Sequence, residues 1–317
     1  MINHLFCVMN KYFLLIFLLS FSIVNAQISE KSLKKHISFL ASDKMKGRQT
    51  GSKEVEMAAT YIEKQFKKYG LTPLGDSGFL QGFEAKVKRV VVADSIRKAD
   101  NIIGFVDNGA AYTIVIGAHY DHIGYGDLGN SKDSLNIGKI HNGADDNASG
   151  TAGLLELAKY YAKNKTREPF NLLFIAFCAE ELGLVGSKYF VENPTVPLDK
   201  IHWMLNMDMI GRYNPDNGVA VIGYGTSSYF PEIFKGVTSD IKFYTGKDGN
   251  GGSDQTSFYK KNIPVLFFHT GGHPDYHKTG DDTHKIDFKA LRSILELEKN
   301  VIDRSMTVPK MDFIWTN

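Results

Sequence analysis

Four apolar runs of this chain end in carboxylates or imidazoles, and a fifth polar cluster opens a helix. After TIVIGA come His119, Tyr120, Asp121 and His122; after LLFIAFCA come Glu180 and Glu181; after HWMLNM comes Asp208; after PVLFFHTGG comes HPDYHKTGDD, with His273, Tyr276 and His277. The fifth cluster is Asp145, Asp146 and Asn147, ahead of ASGTAGLLELA. Singly, each has an ordinary reading. A histidine after a strand is more often a hydrogen-bonded loop residue, an aspartate at a helix start is usually a cap, and paired glutamates in a first turn usually answer the helix dipole. Together they do not. Five or more carboxylates brought to one place would repel one another strongly, and no matching set of Arg or Lys accompanies them. A bound cation resolves that conflict. Imidazole and carboxylate donors without thiolate suit zinc in a catalytic site. Several carboxylates with two histidines can hold two ions, one carboxylate bridging them.

These groups meet only if the runs that carry them are neighbouring strands. In an open α/β sheet, ligands bind beyond the carboxyl ends of the strands. The runs AYTIVIGA, PFNLLFIAF, KIHWMLNM, GVAVIGYG and IPVLFFH are predominantly apolar, many of them β-branched, as buried parallel strands are. Between them lie segments of helical period: NASGTAGLLELAKYYAKN, LGLVGSKYFVEN, SSYFPEIFKGV, GSDQTSFYKKN and a closing DFKALRSILELEKNVIDRSM. Two amphipathic helices open the set. One places Leu33, Ile37 and Leu40 on a face; the other places Val55, Ala58, Ile62, Phe66 and Tyr69 there, capped by Ser52 and stopped by Gly70. The expected fold is α/β: a three-layer sandwich with a central mixed, mostly parallel twisted sheet flanked by helices. The long irregular piece 124–144 is expected to be functional.

Composition sets the remaining bounds. The chain has 317 residues, 43% hydrophobic and 23% charged, with a net charge of +2. That is ordinary globular composition and gives no reason to expect nucleic acid or an anionic membrane as partner. Lys11, the run YFLLIFLLSFSIV and the ending NAQ read as a secretory signal over residues 1–26, cleaved after Ala26. The apolar run is short for a membrane span. The protein is therefore expected to be exported, periplasmic or secreted, without stable membrane insertion after cleavage, and residues 27–317 to form a single domain. Cys7 leaves with the signal. Cys178 remains alone in an apolar run and reads as a packed side chain.

The motifs GAHYDH (117–122), NGADDNASGTAGLLELA (142–158), FCAEELGLVGS (177–187), LNMDMIG (205–211) and DYHKTGDD (275–282) resemble the co-catalytic di-zinc aminopeptidases, metallopeptidase family twenty-eight. FLASDKMKGRQTGS (39–52) and GGSDQTSFYKKNIP (251–264) extend the resemblance over nearly the whole mature chain. The resemblance implies two Zn2+ ions: His119 and Asp208 on one, Glu181 and His277 on the other, Asp146 bridging. It implies a cis peptide between Asp146 and Asn147, Asp121 hydrogen-bonded to His119, and Glu180 as general base. It further implies a zinc-dependent exopeptidase that releases N-terminal residues, expected to be apolar, from peptides with a free N-terminus by attack of a metal-bound hydroxide. Tyr276 is either an additional donor to the oxyanion or a packed aromatic.

Lesser expectations follow. His122, His141, His269, His273 and His284 are assigned loop or packing roles, because the resemblance already fills the ligand set. Asp145 is expected to support the turn, Asp254 to support the site, and Asp43 to pair with Arg48. Met209, Ile210, Tyr224, Phe243 and Tyr244 are candidate walls of an apolar pocket. Three rival readings stay open: a glutaminyl-peptide cyclotransferase with one zinc, a carboxypeptidase for acidic termini, which would want more arginine than Arg212, and a non-catalytic peptide-binding relative.

Overall fold

The computed structural model describes residues 27–316, so the signal-like segment 1–26 lies outside the described residues. The two amphipathic segments fold as α1 (Glu30–Leu40) and α2 (Lys53–Tyr69), each burying the stripe that its spacing predicts. Ser29 and Ser52 cap them by accepting the backbone N–H of Ser32 and Val55. Gly70 ends α2 at φ 86°, a conformation that a Cβ would disfavour.

A stretch for which the sequence reading proposes no elements comes next: β1 (Thr72–Pro73), β2 (Leu80–Lys86) and β3 (Ile96–Val106). β2 alternates buried with exposed residues, the period of a strand with one face in water. The rest alternates as expected, apart from β8, for which the sequence suggests no strand: β4 (Thr113–His119), α3 (Gly150–Lys163), β5 (Asn171–Phe177), α4 (Val185–Glu192), β6 (Ile201–Met207), β7 (Val219–Ile222), α5 (Tyr229–Phe234), β8 (Phe243–Gly246), α6 (Gln255–Tyr259), β9 (Val265–His269) and α7 (Phe288–Ser305).

Among the described residues these strands form one sheet in the order β1-β3-β5-β4-β6-β9-β7-β8, with β2 also paired to β3. β5, β4, β6 and β9 run parallel at its centre, and antiparallel pairings occupy the flanks. Every residue of β4, β5 and β6 is buried, because helices cover both faces. Side chains alternate between the two layers. Ile114, Ile116 and Ala118 pack with α1, α2, α3, α5 and α7; Val115, Leu173, Ile175 and Phe177 pack with Phe190 of α4 and Phe258 of α6. Phe174 is fully buried, and truncating such a residue to Ala costs about 3–5 kcal/mol. No helix of the described residues is long and apolar enough to cross a membrane.

Register decides what this sheet delivers. His119 pairs with Phe177, Gly117 with Asn206, and Met207 with Phe268. The four central strands therefore stop level, and the residues just beyond them share one edge.

Candidate active site

His119, the last residue of β4, is buried, with Nε2 3.4 Å from Asp146 Oδ1 and 3.4 Å from Asp208 Oδ1. Asp208 follows β6 directly. Asp146 sits in the turn ahead of α3, and its peptide to Asn147 is cis. The turn is held from outside. The backbone N–H groups of Asp145 and Asp146 donate to the Asp281 carboxylate at 3.0–3.1 Å. On the other side of Asp146, its Oδ2 lies 3.1 Å from His277 Nε2, which is also 3.1 Å from Glu181 Oε1. Asp146 thus presents one oxygen to His119 and the other to His277, the posture of a bridge. Glu180, half-buried, lines a cavity of about 270 Å³ with Asp208, Met209, Phe267, His269 and Tyr276.

The donor atoms fit metal ions. Two groups, His119 with Asp146 and Asp208, and His122 with Asp146 and Glu181, hold their potential ligand atoms within 4.8 Å of one another. His119 Nε2, His122 Nδ1, Asp146 Oδ2, Glu181 Oε1 and Asp208 Oδ1 are buried with no hydrogen-bond partner in the chain. A buried polar atom left so costs about 1–3 kcal/mol, and five together are explained when cations are their partners. Cys178 is buried in the core and offers no thiolate.

The charges in the cluster pull strongly on one another. Against the cost of burial, His119 and His277 keep the Asp146 carboxyl well below the usual carboxylate range. Burial opposes the charge on His277 as well, yet Glu181 and Asp146 push its pKa up to about 11. A metal binds the neutral imidazole, so its binding would release any proton that these carboxylates favour on the rings. Burial, with Glu181, Asp208 and Asp254 nearby, raises Glu180 well above its ordinary value despite the opposing pull of His119.

Several expectations are corrected. Asp43 and Arg48 form no ion pair. Asp43 accepts from Asn142 Nδ2 at 2.9 Å, while the buried Arg48 guanidinium donates to the carbonyls of Leu40, Tyr120, Asn142 and Gly143 at 2.5–3.0 Å. His119 Nδ1 donates to the backbone carbonyl of Asp121 at 3.1 Å, and the Asp121 carboxylate stands 3.6 Å away, too far for a hydrogen bond. That carboxylate instead accepts from Thr50 Oγ1 and from the backbone N–H groups of Glu180 and Glu181. Of the candidate wall residues only Met209 lines the cavity. Ile210 is in the core, Tyr224 and Phe243 pack against Phe234, and Tyr244 is exposed. Phe267 and His269, stacked with centroids 5.4 Å apart, line it instead. Both belong to β9, whose apolar run gives no sign that its end faces the cavity.

Asp145 supports the turn as expected, accepting from the Gly211 N–H at 2.6 Å, with His273 Nε2 3.2 Å from its other oxygen. Asp254 is fully buried with neither oxygen hydrogen-bonded, and burial, with Asp121 and Asp208 adding to it against His119, raises its pKa to about 7. Segment 124–144 positions a site residue: Asn130 O accepts from His277 Nδ1 at 2.6 Å, and Lys132 N–H donates to His277 O at 2.9 Å. The Tyr276 ring lies tilted against the His277 ring, centroids 4.1 Å apart. His141 and His269 bond to backbone carbonyls, and His284 is exposed. His122 departs from its assigned packing role, with Nδ1 3.1 Å from Glu181 Oε1 and 3.8 Å from Asp146 Oδ2. Its signal is the spacing His-x-x-His at a strand end.

Comparison with known proteins adds the following. The profile described as Peptidase family M28 matches residues 101–302. Leupeptin-inactivating enzyme 1 of Streptomyces exfoliatus is 36% identical over 164 residues, which cover 50% of this chain and 34% of that enzyme. A probable leucine aminopeptidase of Arthroderma otae is 28% identical over 281 residues, 84% of this chain and 70% of the relative. The chain thus spans about a third of the length of the first relative and 70% of the second. A leucine aminopeptidase precursor from Bacteroides thetaiotaomicron superposes with a TM-score of 0.68 at 21% identity, over 87% of this chain and 97% of its own. A glutaminyl cyclase from the same organism also gives 0.68 at 21% identity, over 87% and 98%. These structural likenesses speak to the fold and do not separate one activity from the other.

Proposed function

Since the chain belongs to peptidase family M28, we propose that it is a zinc-dependent aminopeptidase that releases N-terminal residues, apolar ones foremost, from peptides. One observation carries this reading over a one-zinc cyclase: two donor groups share Asp146, and each retains unpartnered ligand atoms. His119, Asp146 and Asp208 would hold one ion; Asp146, Glu181 and His277 would hold the other. Bound there, two such ions supply an acidified water and a polarising charge for a carbonyl oxygen.

The chain's own groups do the rest. Glu180 lines the cavity beside Asp146 and Asp208. Its carboxylate takes the proton of the attacking water and gives it to the nitrogen that leaves, as a C–O bond forms and the C–N bond breaks. The environment that raises its pKa makes it a stronger base, and adjacent cations offset the rise. The Tyr276 hydroxyl donates to the carbonyl oxygen as that atom gains charge.

The cavity wall carries three carboxylates and neither Arg nor Lys. With Asp146 and Asp208 assigned to the metal positions, it is the lack of a lining cation for a terminal carboxylate that favours an aminopeptidase over a carboxypeptidase. Arg212, the cation that a carboxypeptidase would need, is paired with Asp275 at 3.1 Å. Met209 and Phe267 offer apolar surface for the first side chain, in keeping with the leucine aminopeptidase activity for which a relative is named.

Hydrolysis of leucyl-p-nitroanilide, abolished by chelation and by Glu180→Gln, is the test. Cyclisation of an N-terminal glutaminyl peptide without hydrolysis would replace this reading with the cyclase. Residues 1–26 are proposed to be removed on export; sequencing of the exported protein should begin at Gln27.

A further inference from the structure

We propose that His122 supplies its Nδ1 as a fourth donor to the metal position of Asp146, Glu181 and His277, which makes the two positions that share Asp146 unequal. The proposal rests on the two-ion reading above and goes beyond the ligand set that the resemblance implies.

Four observations lead to it. His122 is 1% exposed and neither ring nitrogen is hydrogen-bonded. A neutral imidazole has one donor and one acceptor, and burying both without partners is costly. Its Nδ1 is aimed at the cluster, 3.1 Å from Glu181 Oε1 and 3.8 Å from Asp146 Oδ2, while His277 Nε2 lies 3.1 Å from each of the same oxygens. Tetrahedral ligands with the usual bond lengths of about 2.0–2.1 Å stand about 3.3 Å apart, a spacing near that of His122 from Glu181 and of His277 from Asp146 and Glu181, and the ligand atoms of His122, Asp146 and Glu181 lie within 4.8 Å of one another. The two imidazoles converge edge to face, with centroids 5.8 Å apart and planes at 79°.

The ring is also locked in place. The His122 backbone N–H donates to Arg48 O at 3.2 Å. Gly143, at φ 59°, lies against the ring, and a Cβ there would stand 2.5 Å from Cγ and Cδ2. Arg48 binds the carbonyl of that same glycine at 3.0 Å. One residue, Arg48, therefore holds both sides of the slot around His122, one through its backbone carbonyl and the other through its buried guanidinium.

The consequence is an asymmetric pair. One position has two imidazoles and two carboxylates; the other has one imidazole and two carboxylates. The position with two imidazoles should bind zinc more tightly, whereas the position with one should be the more permissive toward manganese.

The test titrates chelator-treated full chain with Zn2+ and, separately, with Co2+, by calorimetry and visible absorption, for wild type, His122→Gln and His122→Ala. Two unequal binding events are expected. The tighter should weaken about 10–100-fold in both variants, on the scale of lost metal-site contacts, while the weaker stays unchanged. Proton spectra of the dicobalt protein should show three strongly shifted exchangeable imidazole N–H signals, and two in His122→Gln. Melting of the metal-free variants checks folding, and the Gln variant keeps the test alive if Ala fails to fold. Two equal events, variants that leave both events untouched, or two shifted signals in wild type would overturn the proposal. A single binding event in wild type would instead overturn the two-ion reading, and this proposal with it.

Discussion

The backbone N–H of Glu180 donates to the Asp121 Oδ1 at 3.2 Å, and that of Glu181 to Oδ2 at 3.4 Å. The end of β4 thereby holds the backbone that aims both glutamates. Asp121→Ala is expected to lower kcat and weaken metal binding, each about 10–100-fold, as loss of groups that orient ligands does. Asp121→Asn, which keeps one acceptor, should recover part of both. Kinetics with elemental analysis of the same samples checks this, and unchanged metal affinity in the Ala variant would count against a positioning role.

Glu180→Gln removes the proton carrier without removing a proposed ligand. Its kcat should drop about 10²–10⁴-fold, the usual contribution of a general base, at unchanged metal content. Tyr276→Phe should cost about 10²-fold in kcat with KM little altered, as loss of an oxyanion donor does. An unaffected kcat would leave Tyr276 as a ring packed against His277.

Removing metal should cost stability as well as activity. Ligands at 100 times their dissociation constant stabilise a fold by about 2.7 kcal/mol. Dialysis against a chelator is therefore expected to lower the melting temperature, and two equivalents of Zn2+ to restore both properties. Full recovery with one equivalent would favour the cyclase.

Arg48→Met leaves four buried carbonyls without their donor. Since hydrogen bonds to a charged group contribute about 1.5–3 kcal/mol each, a loss of at least about 3 kcal/mol is expected in denaturant titration. A loss under 1 kcal/mol would mean that water replaces the guanidinium.

His202 gives a pH dependence far from the cluster. Burial lowers its pKa from 6.5 to about 4, with Lys310 adding to the effect against the Ser305 carbonyl. Its Nε2 donates to Ser305 O and its Nδ1 accepts from the Met311 N–H, each at 3.2 Å, so a second ring proton would face a donor. The unfolded chain takes that proton as pH falls below about 6.5, and the fold refuses it until about 4. Stability therefore declines with falling pH across that window, by about 3 kcal/mol in all. In metal-free protein, His202→Gln should flatten the slope relative to wild type; identical slopes would refute the assignment.

The central strands are legible because a run with no polar face must lie inside a sheet covered on both sides, and such strands end level. Their polar ends then point to one edge. The hairpin of β2 and β3 is harder to read, since Glu84, Lys86, Arg97 and Lys98 break its apolar character where one face meets water. Arg48 is misread because an acid five residues away in sequence is an obvious partner, whereas the fold supplies carbonyls from three distant segments. His122 is passed over because a complete ligand set leaves no visible need for it. The spacing His-x-x-His hints at one, and the unpartnered atoms of its ring reveal it. Phe267 and His269 are hidden by the same apolar run that identifies their strand.

The Asn130 carbonyl that holds His277 belongs to an excursion of some twenty residues, the kind of surface segment in which lengthening, trimming and sequence drift normally pass without effect. Here that freedom is curtailed. An insertion or deletion between residues 124 and 144 would rotate an imidazole that lines the cavity. The variability expected of a rim should therefore give way, around Asn130, to the conservatism of a core.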